Sequence, residues 1–250
     1  MWCGRRVTVS SFLFWMFAGL LPVLLVGCGS GKSNWQNQVD SCSNLPQDQQ
    51  ATFMAPVPEA PVELLVDSSF TSAQLSGLEQ AVGQWNQLGQ KLQGGSFFSI
   101  QSASVPPELL TSNFSSCTVD PGTGTGALYV VNVTDSQTWK NLGFATNTPA
   151  ATVRCYDGSQ SLTMQVTYVN PTLVYPEQFT SVVLHEMGHM LGLGHSCESG
   201  SGSSGFASCN GLALDNPYVE AVMYPTLSLS QAQTKEQLQA NDELRTACFY

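Results

Sequence analysis

Val183-Leu184-His185-Glu186-Met187-Gly188-His189-Met190-Leu191-Gly192-Leu193-Gly194-His195 holds all three histidines of a 250-residue chain. His185 and His189 are four positions apart. On a helix four residues turn about 400°, so the two imidazoles stand about 40° apart on one face and can grip one ion. Glu186 sits one step round from His185, where its carboxylate reaches the open side of such an ion. Gly192 lets the backbone leave the helix through a positive φ. The chain can then swing His195 back as a third ligand. A lone histidine on a helix is ordinarily a buried side chain with its hydrogen bonds met. That reading fails here by count, because every histidine falls within eleven residues at spacings that serve one tetrahedral site. Three imidazoles with one open position form the arrangement of a catalytic zinc, not a closed structural one.

The His-Glu-x-x-His-x-x-Gly-x-x-His run resembles the signature of the metzincin zinc peptidases. Those enzymes carry a Met-turn downstream, whose methionine forms an apolar floor under the metal site. Ala221-Val222-Met223-Tyr224-Pro225 fits that turn, 28 residues after His195. Within the metzincins the match looks nearest to the matrixins. Ser196 follows the third histidine, Tyr224 and Pro225 follow Met223, and Asn241-Asp242-Glu243-Leu244 looks like the matrixin C-terminal helix. The resemblance is specific over 176–250 and only topological over 61–170.

The resemblance implies a zinc-dependent endopeptidase acting on protein or peptide substrates. Zinc would sit on His185, His189 and His195, with Glu186 as general base. Gly143, Phe144 and Ala145 stand where those enzymes place the edge strand that holds substrate. Tyr224 and Pro225 would border the pocket for the side chain after the cut. The chain also departs from the pattern. It has no further histidine for the second, structural zinc of vertebrate matrixins. Asp120, Asp135 and Asp157 are isolated, so calcium lacks a clear motif. No pro-peptide cysteine switch is recognisable, and Cys42 is assigned to a disulfide by parity. Two other readings use the same metal: a catalytically inactive zinc-binding surface lipoprotein, and a hydrolase of small or cell-wall peptides. Retention of Glu186 beside all three ligands weighs against the first.

Patterning along the chain gives an alternating α/β arrangement. Strands are expected at Val62–Val66, Phe97–Ile100, Ala127–Val133, Leu142–Ala145 and Leu162–Val169. Leu75, Leu78, Ala81, Val82, Trp85 and Leu88 recur at helical spacing, placing a helix over Ser72–Leu92 with Ser or Thr as its cap. Further helices are expected over about Glu177–Leu191 and Gln231–Cys248, with a Gly/Ser-rich loop at 199–211. This order suits an α/β (α+β) sandwich. The metzincin resemblance sharpens it to a twisted, mostly parallel sheet of about five strands with one antiparallel edge strand, about three helices, and zinc in a cleft on the active-site helix.

The N-terminus reads as an address. Arg5 and Arg6 precede twenty uncharged residues, Val7–Val26, and then Gly27-Cys28. This pattern describes a secretory signal and resembles a bacterial lipoprotein signal, in which Cys28 would be acylated. A plain membrane anchor of that length is the alternative, but Pro22 and the small Gly27-Cys28 pair suit cleavage better. The expected organisation is a signal peptide at 1–27, a flexible tether at 28–60 and a zinc metallopeptidase domain at 61–250. The expected location is the cell surface or outer membrane, through the lipid on Cys28, as a monomer.

Charge and cysteine usage agree with export. The whole chain carries a formal −10, and removing 1–27 leaves six Lys and Arg against eighteen Asp and Glu. So negative a chain is no nucleic-acid binder, and it would be held at a membrane by lipid instead of charge. Of eight cysteines, six remain after Cys3 and Cys28 are set aside. They read as up to three disulfides, of which Cys197–Cys209 would close the Gly/Ser-rich loop.

Overall fold

In the computed structural model, residues 60–111, 117, 128–156, 162–198, 208–226 and 235–250 are described. The signal segment, Cys28, the tether up to residue 59, Asp120, Asp157 and loop positions 199–207 lie outside them. Five strands form the sheet: β1 (Val62–Asp67), β2 (Phe98–Ala103), β3 (Leu128–Asn132), β4 (Ala150–Tyr156) and β5 (Leu162–Val169). Their order is β2-β1-β3-β5-β4. Every pairing is parallel except that of β4 with β5, so one edge strand runs antiparallel. This is the sheet expected of the metzincin fold.

The period of two in each strand decides which layer each residue joins. Leu128 and Val130 of β3 join the core beneath helices α1 (Ser72–Gln93) and α3 (Phe179–Met190). Tyr129 and Val131 point the other way, into a second core with Met164, Val166 and Tyr168 of β5 and with Trp139 of α2 (Ser136–Asn141). Gln165, between Met164 and Val166, instead meets α3, where its Nε2 donates to Met190 O at 3.1 Å. Helix α1 begins with a capping box: Gln74 N–H donates to Thr71 Oγ1, and Thr71 N–H donates to Gln74 Oε1. It ends at Gly94, whose φ of 72° a side-chain-bearing residue rarely adopts.

Three expectations need correction. Leu142–Ala145 is not a strand. Leu142 caps α2, Gly143 turns the chain at φ 89°, and Phe144 wedges its ring between Trp139 and Tyr168, with centroids 4.7 and 5.4 Å away. Trp139 Nε1–H donates to Ala145 O, which closes the turn. The edge strand is β4, a few residues later. The last helix, α5, covers only Ala240–Thr246, because residues 235–239 are tied elsewhere, with Leu238 N–H donating to Gln84 Oε1 on α1. The helix count is five among the described residues, since α2, α4 (Pro217–Glu220) and α5 are short additions to the 22- and 12-residue α1 and α3.

Cys197–Cys209 is bonded as expected, and a second disulfide joins Cys117 to Cys155 of β4. Cys248 is also disulfide-bonded. Among the described residues no helix is long and apolar enough to cross a membrane.

Candidate metal centre

Helix α3 carries the first two candidate ligands, and its neighbours fix its position. Trp85 of α1, fully buried, donates its indole N–H to Leu184 O at 3.0 Å. The helix stops in a Schellman arrangement: Leu193 N–H donates to Gly188 O, and Gly192 N–H donates to His189 O, with Gly192 at φ 100°. The expected positive φ is present, and the chain swings round to bring His195 beside the helix.

The three rings converge. Their centroids are 4.7, 5.3 and 5.0 Å apart in pairs, and one ligand nitrogen from each lies within 4.8 Å of the others. His185 Nδ1 is 2.8 Å from Val222 O, and His189 Nδ1 is 2.7 Å from Leu193 O. A carbonyl oxygen only accepts, so each Nδ1 bears the hydrogen and each Nε2 is left as a free lone pair. Burial pushes His185 down to about 4 and His189 well below the ordinary histidine range, and it lowers His195 as well. All three are therefore neutral near pH 7, the form a metal requires. Three neutral imidazoles, two of them with pinned tautomers, fit a zinc ion.

The third candidate ligand is held from a distance. Arg245 of α5, almost fully buried, donates from Nη1 to His195 O at 3.0 Å. Ser196 N–H donates to Met223 O at 2.7 Å, and Ser196 Oγ–H donates to Tyr218 O. The same short helix holds the methionine turn. Asp242 accepts from Val222 N–H at 2.9 Å, Met223 N–H at 3.1 Å and Gln239 N–H at 3.0 Å. Burial raises the Asp242 carboxyl, and those three N–H groups oppose the rise. Met223 is fully buried and lies so close to α3 that a Cβ on Gly188 would come 2.2 Å from its Sδ. Lys235 Nζ donates to Val219 O and Ala221 O and stands 4.4 Å from the Tyr224 ring centre. Its desolvation brings it down to about 8.

Glu186 is buried beside the histidines, which pushes its carboxyl up to about 7; the Thr152 hydroxyl, 2.6 Å from Oε2, opposes that rise. A carboxylate near neutrality beside a metal site can both take and return a proton. The centre opens into a cleft of about 650 Å³, bordered by Asn147–Thr152, Leu173, Val174, Gln178, Val182, Tyr224, Pro225 and Thr226. Tyr224 and Pro225 are thus among the residues that border the cleft. Gly143, Phe144 and Ala145 are not part of that lining, and Phe144 packs into the second core instead. Sequence reading missed Thr152, Arg245 and the acceptor role of Asp242. Their separations from the groups they touch, 34, 50 and about 20 residues, leave no local signal.

Comparison with known proteins places the chain in a family. A family model described as metallo-peptidase family M12 matches residues 66–236. A search of curated proteins finds none that matches. Among solved structures, the chain is similar to high choriolytic enzyme 1, a hatching enzyme zinc-protease from Oryzias latipes (medaka fish). The identity is 12%, covering 75% of this chain and 87% of that one, with a TM-score of 0.35. With the family match spanning more than half its length, the chain belongs to metallo-peptidase family M12.

Proposed function

We propose that this protein is a zinc-dependent endopeptidase whose ligands are His185, His189 and His195 and whose general base is Glu186. The observation that carries the reading is the convergence of three imidazoles, two of them pinned in tautomer by backbone carbonyls, beside a buried carboxylate at the floor of an open cleft. Zinc, when bound, supplies Lewis-acid activation of a water and of the scissile carbonyl. Glu186 accepts the proton released by that water and passes it to the leaving amine. Its buried surroundings keep the returned proton available near neutral pH. Among the described residues β4 stands at the edge of the sheet, and an extended peptide can add to an edge strand by backbone hydrogen bonds. Leu173, Val174, Val182 and Pro225 give the cleft apolar walls for a substrate side chain.

The finer placement as matrixin-like rests on Ser196, the Met223-Tyr224-Pro225 run and the Asn241–Leu244 segment. Export and lipid anchoring through Cys28, with a monomeric catalytic domain, rest on the N-terminal sequence. A Cys28→Ala variant that stays in the membrane fraction would remove the lipid anchor from the proposal. The catalytic reading is tested by Glu186→Gln. Zinc content stays stoichiometric by metal analysis while casein or peptide hydrolysis falls to background. Full hydrolysis in that variant removes Glu186 from its role.

A further inference from the structure

Glu186 has an unusual neighbour. Thr152 of β4 lies directly opposite Thr167 of β5 in the antiparallel register. Both hydroxyls lie on the face of the sheet that meets α3. Thr152 Oγ1 is 2.6 Å from Glu186 Oε2 and 2.7 Å from Thr167 Oγ1, while Glu186 O is farther away at 3.3 Å. A threonine hydroxyl has one proton to give. An ionised carboxylate only accepts, so the short contact spends the Thr152 proton on Oε2. Thr167 must then donate to Thr152. The result is a directed chain from Thr167 through Thr152 to Glu186.

The last torsion of a glutamate side chain is broad, so a carboxylate without a fixed donor samples many orientations. A bond from a hydroxyl to an ionised acceptor is among the stronger hydrogen bonds. Here the donor stands on a strand whose place is set by the β4–β5 ladder. We propose that Thr152 is a positioning residue for Glu186: it engages Oε2, fixes the carboxylate plane, and leaves Oε1 as the oxygen that takes the proton from the attacking water. Thr167 orients the Thr152 hydroxyl in turn. Because Thr152 also borders the cleft, the strand open to substrate pairing is the strand that sets the base. The proposal rests on the assignment of Glu186 as general base.

The test uses the zinc-loaded protein and the variants Thr152→Val, Thr152→Ser, Thr167→Val and Glu186→Gln, assayed on a fluorogenic peptide. Valine keeps the branched shape and removes only the hydroxyl. Thr152→Val should lower kcat about 10- to 100-fold, the worth of one hydrogen bond to a charged group, with KM and chelator-measured zinc affinity unchanged. Thr152→Ser should restore most of kcat, and Thr167→Val should cost less than Thr152→Val. A second readout needs no metal. The Glu186 carboxylate stretch, identified by infrared difference against Glu186→Gln at alkaline pH, should shift in Thr152→Val and return in Thr152→Ser. Wild-type kcat in Thr152→Val overturns the proposal, as does a fall in zinc affinity that matches the fall in activity. An unshifted carboxylate stretch overturns it too. An active Glu186→Gln overturns the base assignment itself, whereas an inactive Glu186→Gln beside a fully active Thr152→Val overturns only the positioning role.

Discussion

His185 and His189 ride on one helix, and the helical repeat alone brings them together. His195 reaches the same point by leaving that helix at Gly192, and Arg245, 50 residues later, holds its backbone. Two candidate ligands are therefore set locally, while the third depends on the C-terminal segment having folded against the site. Asp242 extends the dependence, since α5 also fixes the N–H groups of the methionine turn, and Val222 of that turn pins His185. The difference teaches where metal binding is coupled to folding. The α3 pair can exist once α3 is docked, but a three-ligand site requires α5.

Removing a member of the helix-borne pair should have the largest effect. His189→Ala leaves two imidazoles, too few for a catalytic zinc site. Metal analysis should find the ion gone, with peptide hydrolysis at background. The variant should melt at the temperature of wild-type protein stripped by a chelator, because each lacks the same binding free energy. Stoichiometric zinc in His189→Ala would mean that the convergence of the three rings is not a metal site.

Arg245→Met strikes the remote half of the arrangement and comes next. It removes a buried charged donor from His195 O without touching any ring. Loss of such a bond costs about 1.5–3 kcal/mol, and outer partners of metal ligands are typically worth about 10- to 100-fold in affinity. Zinc affinity by chelator competition should weaken about tenfold or more, with helix content by circular dichroism retained. Unchanged affinity would show that Gly192 and Ser196 suffice to seat His195, and the contrast between local and remote ligands would fail.

Gly188→Ala probes where the two halves touch. Alanine favours helix over glycine by about 1 kcal/mol, yet its Cβ would meet Met223 Sδ at 2.2 Å and Trp85 Cζ2 at 3.2 Å. Met223 is fully buried, so the overpacking should win, with a net loss of about 1–3 kcal/mol. Calorimetry should show the midpoint falling by about 2–4 °C per kcal/mol. A higher midpoint would mean that Met223 has room to withdraw and that the turn is not packed on α3.

The same contrast separates what was legible in the sequence from what was not. A period of four, a glycine at the turn and a Val-Met-Tyr-Pro run are local patterns, and they locate the three converging histidines, the helix end and the turn at Met223. Strand β4 is different. Ala150–Tyr156 has a mixed burial pattern with no clean alternation, and it is held by its ladder to the next strand, β5, and by the Cys155–Cys117 bond across 38 residues. Leu142-Gly143-Phe144-Ala145 carries a stronger apolar signal, but that apolarity serves the Trp139–Phe144–Tyr168 ring cluster. Residues 235–239 fail to continue a helix because Lys235 and Leu238 make their hydrogen bonds to α4, the chain just after it, and α1. The mostly parallel sheet with one antiparallel edge strand follows from the alternating pattern and the family resemblance, whereas the order of its strands does not. The donors that tune the site, Thr152 and Arg245, come from pairings that no window of sequence contains.

The smallest expected effect lies farthest from the metal. Thr71→Ala removes the capping side chain of α1, at a cost of about 1 kcal/mol and about 2–4 °C in midpoint. Helix α1 touches α3 closely: a Cβ on Gly77 would come 2.9 Å from Thr180 Oγ1, and Trp85 holds Leu184 O. With Trp85 also against Gly188, α1 meets α3 from Thr180 to Gly188, whereas the cap sits ahead of the first turn of α1 and is exposed. Fraying there should lower global stability without rotating the histidine-bearing face. Zinc affinity should therefore match wild type in a chelator titration, even as the melting midpoint falls. If affinity falls as well, α3 takes its register from α1, and the pair on α3 is no more locally determined than His195.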